Sequence, residues 1–113
     1  MKIALIGYGK MGRAIETLAP AYGHEVVLRI DSGIEWEGIR AQLSQVDAAI
    51  EFSRPEAAFR NVAACLESGV PVVCGTTGWN DRMEDARQLC LEKGGAFFYA
   101  SNFSIGVHLF MET

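Results

Sequence analysis

Short apolar runs rich in Val and Ile alternate along the chain with stretches whose apolar residues recur at helical spacing, the pattern of βα units. Residues 3–6 are apolar without alternation, as expected for a strand covered by helices on both faces of a parallel sheet. From residue 10 to about 21, Met11, Ala14, Ile15 and Leu18 fall at i, i+3, i+4 and i+7 on one stripe, and Pro20 is placed to kink or end that helix. Residues 25–30 carry Val26-Val27-Leu28 and predict a second strand that stops at the turn formers Asp31-Ser32-Gly33. Across residues 34–45, Trp36, Ile39 and Leu43 suit one face of a short helix whose Glu35 and Glu37 face solvent.

Residues 47–52 predict a third strand. Ser53 and Glu56 then stand at the spacing of a capping box, opening a helix whose Phe59, Val62, Ala63 and Leu66 share a stripe and which Gly69 ends. Residues 70–74 form a fourth strand with Pro71 at its start, where a missing N–H is tolerated. Asn80 or Asp81 is expected to cap a helix to about Lys93, with Met83, Ala86 and Cys90 inward and Gly94-Gly95 as its stop. Residues 96–100 are the fifth strand. The class is therefore α/β, a Rossmann-like doubly wound parallel sheet with the order 2-1-3-4-5. Right-handed crossovers collect the polar turn chemistry at the carboxyl edge, where open α/β sheets bind ligands.

At 113 residues the chain is one domain, long enough to bury a core without staples. Its three cysteines, Cys65, Cys74 and Cys90, are odd in number and match no CxxC or zinc spacing, so they read as reduced, mostly buried thiols, and no metal site is expected. With 10 basic against 14 acidic side chains the formal net charge is -4, and the basic residues are scattered, so no nucleic-acid partner is expected. No apolar run approaches the roughly 20 residues of a spanning helix. The residues after Lys2 lack the core of a secretory signal, so no membrane partner and a cytoplasmic location are expected.

Gly7-Tyr8-Gly9-Lys10-Met11-Gly12 is a GxGxxG that follows a predicted strand, opens a predicted helix and precedes Asp31 by 19 residues, close to the offset of a ribose-binding acid. Gly7 would allow the tight turn, Gly9 the approach of a pyrophosphate to backbone, and Gly12 the packing of helix on strand, with the pyrophosphate on helix N–H groups. The alternative is a glycine-rich turn without a ligand. Asp31 either accepts hydrogen bonds from the adenosine ribose or caps a turn. Its carboxylate would repel a 2′-phosphate, which prefers NAD, while Arg29, Lys10 or Arg13 leaves NADP open. Phe52-Ser53-Arg54-Pro55, Gly75-Thr76-Thr77-Gly78 and Ser101-Asn102-Phe103-Ser104 end the later strands beside the same crevice. Thr76, Thr77 and Asn102 are side chains suited to a nicotinamide carboxamide, or equally to ordinary turn chemistry.

Taken in order, GYGKMGR, EFSRPEA, GTTGW and SNFSIGV resemble the N-terminal half of the 4-hydroxy-tetrahydrodipicolinate reductases, also called dihydrodipicolinate reductases, over essentially the whole chain. The resemblance implies an enzyme of the diaminopimelate route to lysine that uses NADH or NADPH to reduce a cyclic unsaturated dicarboxylate to tetrahydrodipicolinate. It implies that Gly7, Tyr8, Gly9, Lys10, Met11 and Gly12 hold the pyrophosphate and Asp31 the adenosine ribose. Gly75, Thr76, Thr77, Ala100, Ser101, Asn102 and Phe103 would then lie at the nicotinamide, Phe52 and Ser53 border the cofactor, and Thr77 also touches the substrate carboxylate. Some members read GxGGRMG where this chain has the plain dinucleotide form, and some carry Arg where it has Ser32, which again favours NAD.

The resemblance also implies a second domain with a His-rich motif, a Lys acid and an SGT loop, none of which is in this chain. His24 and His108 stand alone, and no residue is assigned a catalytic role. Residues 1–104 are expected to be the dinucleotide-binding domain, and 105–113 the start of a helix leading to a C-terminal substrate and catalytic domain. On that reading the chain is a fragment that binds cofactor without turnover, a monomer or weak dimer of a protein that is a homotetramer at full length. Two other readings remain: the cofactor domain of another NAD-dependent oxidoreductase of the amino-acid dehydrogenase type, and a non-catalytic nucleotide-sensing module.

Overall fold

The computed structural model describes residues 1–7, 10–30 and 41–100. Strands β1 (Lys2–Ile6), β2 (Glu25–Ile30), β3 (Ala48–Glu51), β4 (Val72–Cys74) and β5 (Phe97–Tyr99) pair in parallel throughout, in the order β2-β1-β3-β4-β5. Helices α1 (Lys10–Leu18), α2 (Pro55–Glu67) and α3 (Asn80–Lys93) supply crossovers. The predicted class and strand order hold.

The side-chain alternation of β1 explains why its run is apolar on both faces. Ile3 and Leu5 pack with Ile15 and Ala19 from the α1 side, whereas Ala4 and Ile6 join a larger core with Val62 and Leu66 of α2, Met83 of α3 and Trp79 just before it. As Pro20 requires, α1 stops at Leu18, and a 3₁₀ turn, Ala19–Tyr22, carries the chain to Gly23 at φ +80°. Gly69 and Gly94 adopt the expected left-handed conformations at φ +74° and +63°. Cys65 and Cys74 are buried free thiols, and Cys90 is partly buried.

Both predicted caps are corrected. Arg54 precedes Pro55 and is therefore forced extended, at φ −115° and ψ 153°, so α2 opens at Pro55 and Ser53 stands one residue too early to cap it. Neither Asn80 nor Asp81 caps α3: the helix already includes Asn80, and Trp79 occupies the cap position without a side-chain cap bond. Burial of Trp79 pins the chain there, and its carbonyl accepts from the Arg82 amide at 3.0 Å. The fourth strand is also shorter than expected because the Val70 amide turns back to the Cys65 carbonyl at 2.9 Å instead of joining the ladder. Of the predicted helix over 34–45, residues 41–43 are helical with Leu43 buried, and the remainder up to 40 lies outside the described residues.

Candidate functional site

The strand ends are level. Ile6 pairs with Ile30 and Glu51, Glu51 with Cys74, and Cys74 with Tyr99, so the last residue of every strand lies in one row across the sheet. The ladder runs one residue further: the amides of Gly7, Phe52, Gly75 and Ala100 donate to the carbonyls of Ile30, Ile6, Glu51 and Cys74 at 2.7, 2.9, 2.8 and 3.0 Å. Four residues singled out from separate motifs thus become neighbours at the carboxyl edge, where doubly wound sheets take their ligands.

At the centre of that row the turn between β1 and α1 passes hard against the loop after β3. Gly7 has φ +97°, and a Cβ built on it would stand 1.9 Å from the Phe52 carbonyl oxygen. Only glycine fits, both for conformation and for space. Gly7 itself is thus bare of side chain and lies three residues ahead of Lys10, the first residue of α1, whose first-turn N–H groups lack intrahelical partners and whose dipole favours an anion. Lys10 and Met11 open α1, and Gly12 is buried within it.

Beneath the edge lies a polar cluster that the sequence reading did not anticipate. The Glu51 side chain is 0% exposed, and its Oε1 accepts from the Thr76 hydroxyl at 2.6 Å and from Cys74 Sγ at 3.2 Å. Its Oε2 accepts from Asn61 Nδ2 at 2.8 Å and from the Ser53 hydroxyl. Asn61 Nδ2 also donates to Ser53 Oγ at 3.0 Å, and the Ser53 amide donates to Thr76 Oγ1 at 2.7 Å. Burial, with the Glu51 charge adding to it, pushes the Cys65 thiol up to about 12, and the same causes push the Cys74 thiol well above the ordinary range. Both cysteines therefore stay protonated, as suits Cys74 in its role as a donor. The loop after β4 is held from its other side by Trp79, 2% exposed, whose indole N–H donates to the Thr76 carbonyl at 2.7 Å and whose ring packs at 6.2 Å from Phe97.

The family model described as "Dihydrodipicolinate reductase, N-terminus" matches residues 1–103. The chain belongs to the dihydrodipicolinate reductase family. It is 46% identical over 112 residues to the 4-hydroxy-tetrahydrodipicolinate reductase of Christiangramia forsetii, covering 99% of this chain and 46% of that protein. With the protein of the same name from Chromobacterium violaceum it shares 36% identity over 128 residues, 95% of this chain and 48% of that one. The chain spans about half the length of these curated relatives. A crystal structure of S. aureus homoserine dehydrogenase matches with a TM-score of 0.66 at 16% identity, over 88% of this chain and 31% of that one. That likeness shows the shared fold alone, so it adds nothing for the amino-acid dehydrogenase reading.

Against the dihydrodipicolinate reductase expectation, Gly7, Phe52, Gly75 and Ala100 stand together in the level row. Thr77 is exposed, whereas the Thr76 hydroxyl is turned to Glu51 and only 5% of the residue is exposed. Ser53 likewise spends its hydroxyl on Glu51. Tyr8, Gly9, Asp31, Ser101, Asn102 and Phe103 lie outside the described residues, as does the helix expected from 105 to 113. Arg29 is paired with Glu16 of α1. His24 enters β2 at the amino edge, its Nδ1 3.1 Å from the Met1 amino group, on the rim opposite the level row. The missed residues, Glu51 and Asn61, carried one usable signal: a carboxylate inside an otherwise apolar strand of a covered sheet must be buried.

Proposed function

We propose that this chain is the nicotinamide-dinucleotide-binding half of a 4-hydroxy-tetrahydrodipicolinate reductase and that it takes NADH in preference to NADPH. The observation that carries the reading is the obligatory glycine at position 7, closed against the Phe52 carbonyl at the start of the turn that leads to α1. A diphosphate suits that reading because Gly7 adds no side chain to the turn and the N–H groups at a helix head are available to an anion. Gly7, Gly9, Lys10, Met11 and Gly12, with Tyr8 between them, would line the pyrophosphate, and Asp31, following the last residue of β2, would hold the adenosine ribose. Phe52, Ser53, Gly75, Thr76 and Ala100, with Ser101, Asn102 and Phe103 after them, would border the nicotinamide. Thr76 and Ser53 would contribute backbone and loop shape rather than their engaged hydroxyls. The preference for NADH draws support from the Arg29–Glu16 pair, which engages the guanidinium nearest in sequence to Asp31.

When bound, the dinucleotide supplies a hydride. The chain's part is to orient the nicotinamide ring at the carboxyl edge and to keep it at near-attack distance from a substrate carbon. Reduction also requires an acid for the developing negative charge. His24 is unsuited to that role, lying at the amino edge. We assign the proton donor, most contacts to the dicarboxylate and the tetramer contacts to a further domain, leaving Thr77 as this chain's contact to a substrate carboxylate.

Calorimetric titration of the chain with NADH tests the binding claim: saturable heat is expected, and no heat and no stability shift at millimolar cofactor would refute it. ADP-ribose in a parallel titration should bind more weakly than NADH. Equal affinities would favour a nucleotide-sensing module. NADH mixed with the dicarboxylate and this chain alone should not be oxidised, and a sizing column should show a monomer or weak dimer.

A further inference from the structure

Glu51 is the only charged side chain fully withdrawn from solvent among the described residues, and its four donors are all uncharged groups. Burying a carboxylate is costly, and an apolar residue of similar size would serve a core better unless the two oxygens do something that packing cannot. Here they accept from three different stretches of chain. Oε1 takes the Thr76 hydroxyl and the Cys74 thiol of the segment through β4, while Oε2 takes Ser53, which follows β3, and Asn61 of α2. The network also has a fixed direction: Asn61 donates to Ser53, Ser53 donates to Glu51, and Thr76 accepts from the Ser53 amide while donating to Glu51. A network in which every polar atom is used specifies one arrangement and rigidifies it.

That arrangement sets the site. Phe52, whose carbonyl closes on Gly7, is the residue between Glu51 and Ser53 and so is held from both ends. Gly75 and Thr77 flank Thr76, whose hydroxyl and carbonyl are both tied. We propose that Glu51 is a positioning residue: its carboxylate joins the β3–α2 and β4–α3 loops at a fixed separation, so that Phe52, Gly75 and Thr77 present themselves to the dinucleotide in register with Gly7. The inference rests on reading the carboxyl edge as the dinucleotide site, and it assigns dinucleotide affinity to a group that never touches the ligand.

The test compares Glu51→Gln, Thr76→Val and Thr76→Ser in the 113-residue chain, each shown by circular dichroism to be folded at the temperature used. Two quantities are read: the Kd for NADH and the hydrogen-exchange rate of the Ser53 amide without ligand. Thr76→Val keeps shape and removes the hydroxyl, while Thr76→Ser keeps the hydroxyl. Thr76→Val and Glu51→Gln should each raise the Kd about tenfold, the worth of one net buried hydrogen bond, and speed Ser53 exchange by a similar factor. Thr76→Ser should stay within about threefold of wild type in both, which is under 1 kcal/mol. A merely structural role would lower the melting temperature while leaving the Kd of the folded variants unchanged, and that result overturns the proposal. So does loss of affinity in Thr76→Val alone, which would make Thr76 a direct contact. If wild type itself fails to bind NADH, the dinucleotide reading falls, and the Ser53 exchange rate in Glu51→Gln still decides whether Glu51 holds the two loops. Should Glu51→Gln not fold, Asn61→Leu, which removes a donor to Glu51 at a residue remote from the ligand, takes its place: a raised Kd supports the proposal, and a wild-type Kd overturns it.

Discussion

Replacing Gly7 with Ala places one methyl group where the structure has no room. The new Cβ would lie 1.9 Å from the Phe52 carbonyl oxygen and 2.8 Å from its carbon, on a residue whose φ is +97°. Neither partner can yield easily: the Gly7 amide is bonded to Ile30 at 2.7 Å and the Phe52 amide to Ile6 at 2.9 Å, so relief requires parting β1 from β2 or β3 at their ends. Backbone strain of about 1–3 kcal/mol and overpacking of about 1–3 kcal/mol make a loss near 4 kcal/mol the central expectation. At roughly 4–6 °C per kcal/mol for a domain of this size, the melting temperature should fall by about 16–24 °C. The control is Gly23→Ala, at φ +80° with nothing within 4 Å of the added Cβ. It carries the backbone cost alone, about 1 kcal/mol, and sits by β2 at the far rim. Thermal unfolding followed by circular dichroism, with NADH titrated below the transition, reads both effects. Gly7→Ala should lose dinucleotide binding even where folded, and Gly23→Ala should keep it. A Gly7→Ala chain that melts alongside Gly23→Ala would show that Gly7 and Phe52 are not in contact, and the requirement for glycine at position 7 would lose its physical basis.

Other consequences follow from the same geometry. Because burial raises the Cys65 thiol from 9.0 to about 12, the unfolded chain releases that proton first as pH rises. The thiol's contribution is therefore whole below pH 9 and is lost between 9 and 12, at roughly 1 kcal/mol per pH unit. Urea midpoints from pH 8 to 10 should fall more steeply for wild type than for Cys65→Ala, and parallel slopes would contradict this. Trp79→Phe removes the indole bond to the Thr76 carbonyl and leaves a cavity, so it should lose about 2–4 kcal/mol in urea unfolding. Glu16→Ala frees Arg29 from its ion pair and should narrow the ratio of NADPH to NADH dissociation constants, measured by calorimetry, with little change in stability because the pair is partly exposed to solvent.

Much of this fold is legible in the sequence because local and global signals agree. The unalternating run of β1 announces a strand covered on both faces, and short crossovers leave few orders open, so the residues alone lead to 2-1-3-4-5. The level row is legible only in part: periodicity places Gly7, Phe52, Gly75 and Ala100 after strands, but register decides that they are neighbours, and register is a property of pairing. The caps escape the sequence for a different reason. Ser53 and Asn80 have side chains suited to capping, and tertiary demands claim the positions instead: Pro55 forces Arg54 extended, Glu51 takes the Ser53 hydroxyl, and Trp79 is pinned by its own burial.

The buried carboxylate marks where pattern reading stops, and it shows why. In AAIEF the Glu looks like a strand terminus facing water, since one charged residue at the end of an apolar run is ordinary. The same run read as a central strand gives the opposite answer, because β3 is paired on both sides and covered on both faces, so its last side chain has nowhere wet to go. Once Glu51 must be inside, its partners have to be donors, and the polar residues at the heads of the adjacent loops, Ser53 and Thr76, together with Asn61 on an otherwise apolar helix face, are the donors within reach. Taken singly, Ser53 and Thr76 suit a helix cap or a ligand contact. Placing the acid first reassigns them: the hydroxyls serve the carboxylate, and what these two residues leave for a ligand is backbone and loop shape. On the proposed function, the contribution of this part of the edge to dinucleotide recognition is the obligatory glycine at position 7 and the fixed separation of the loops beside it.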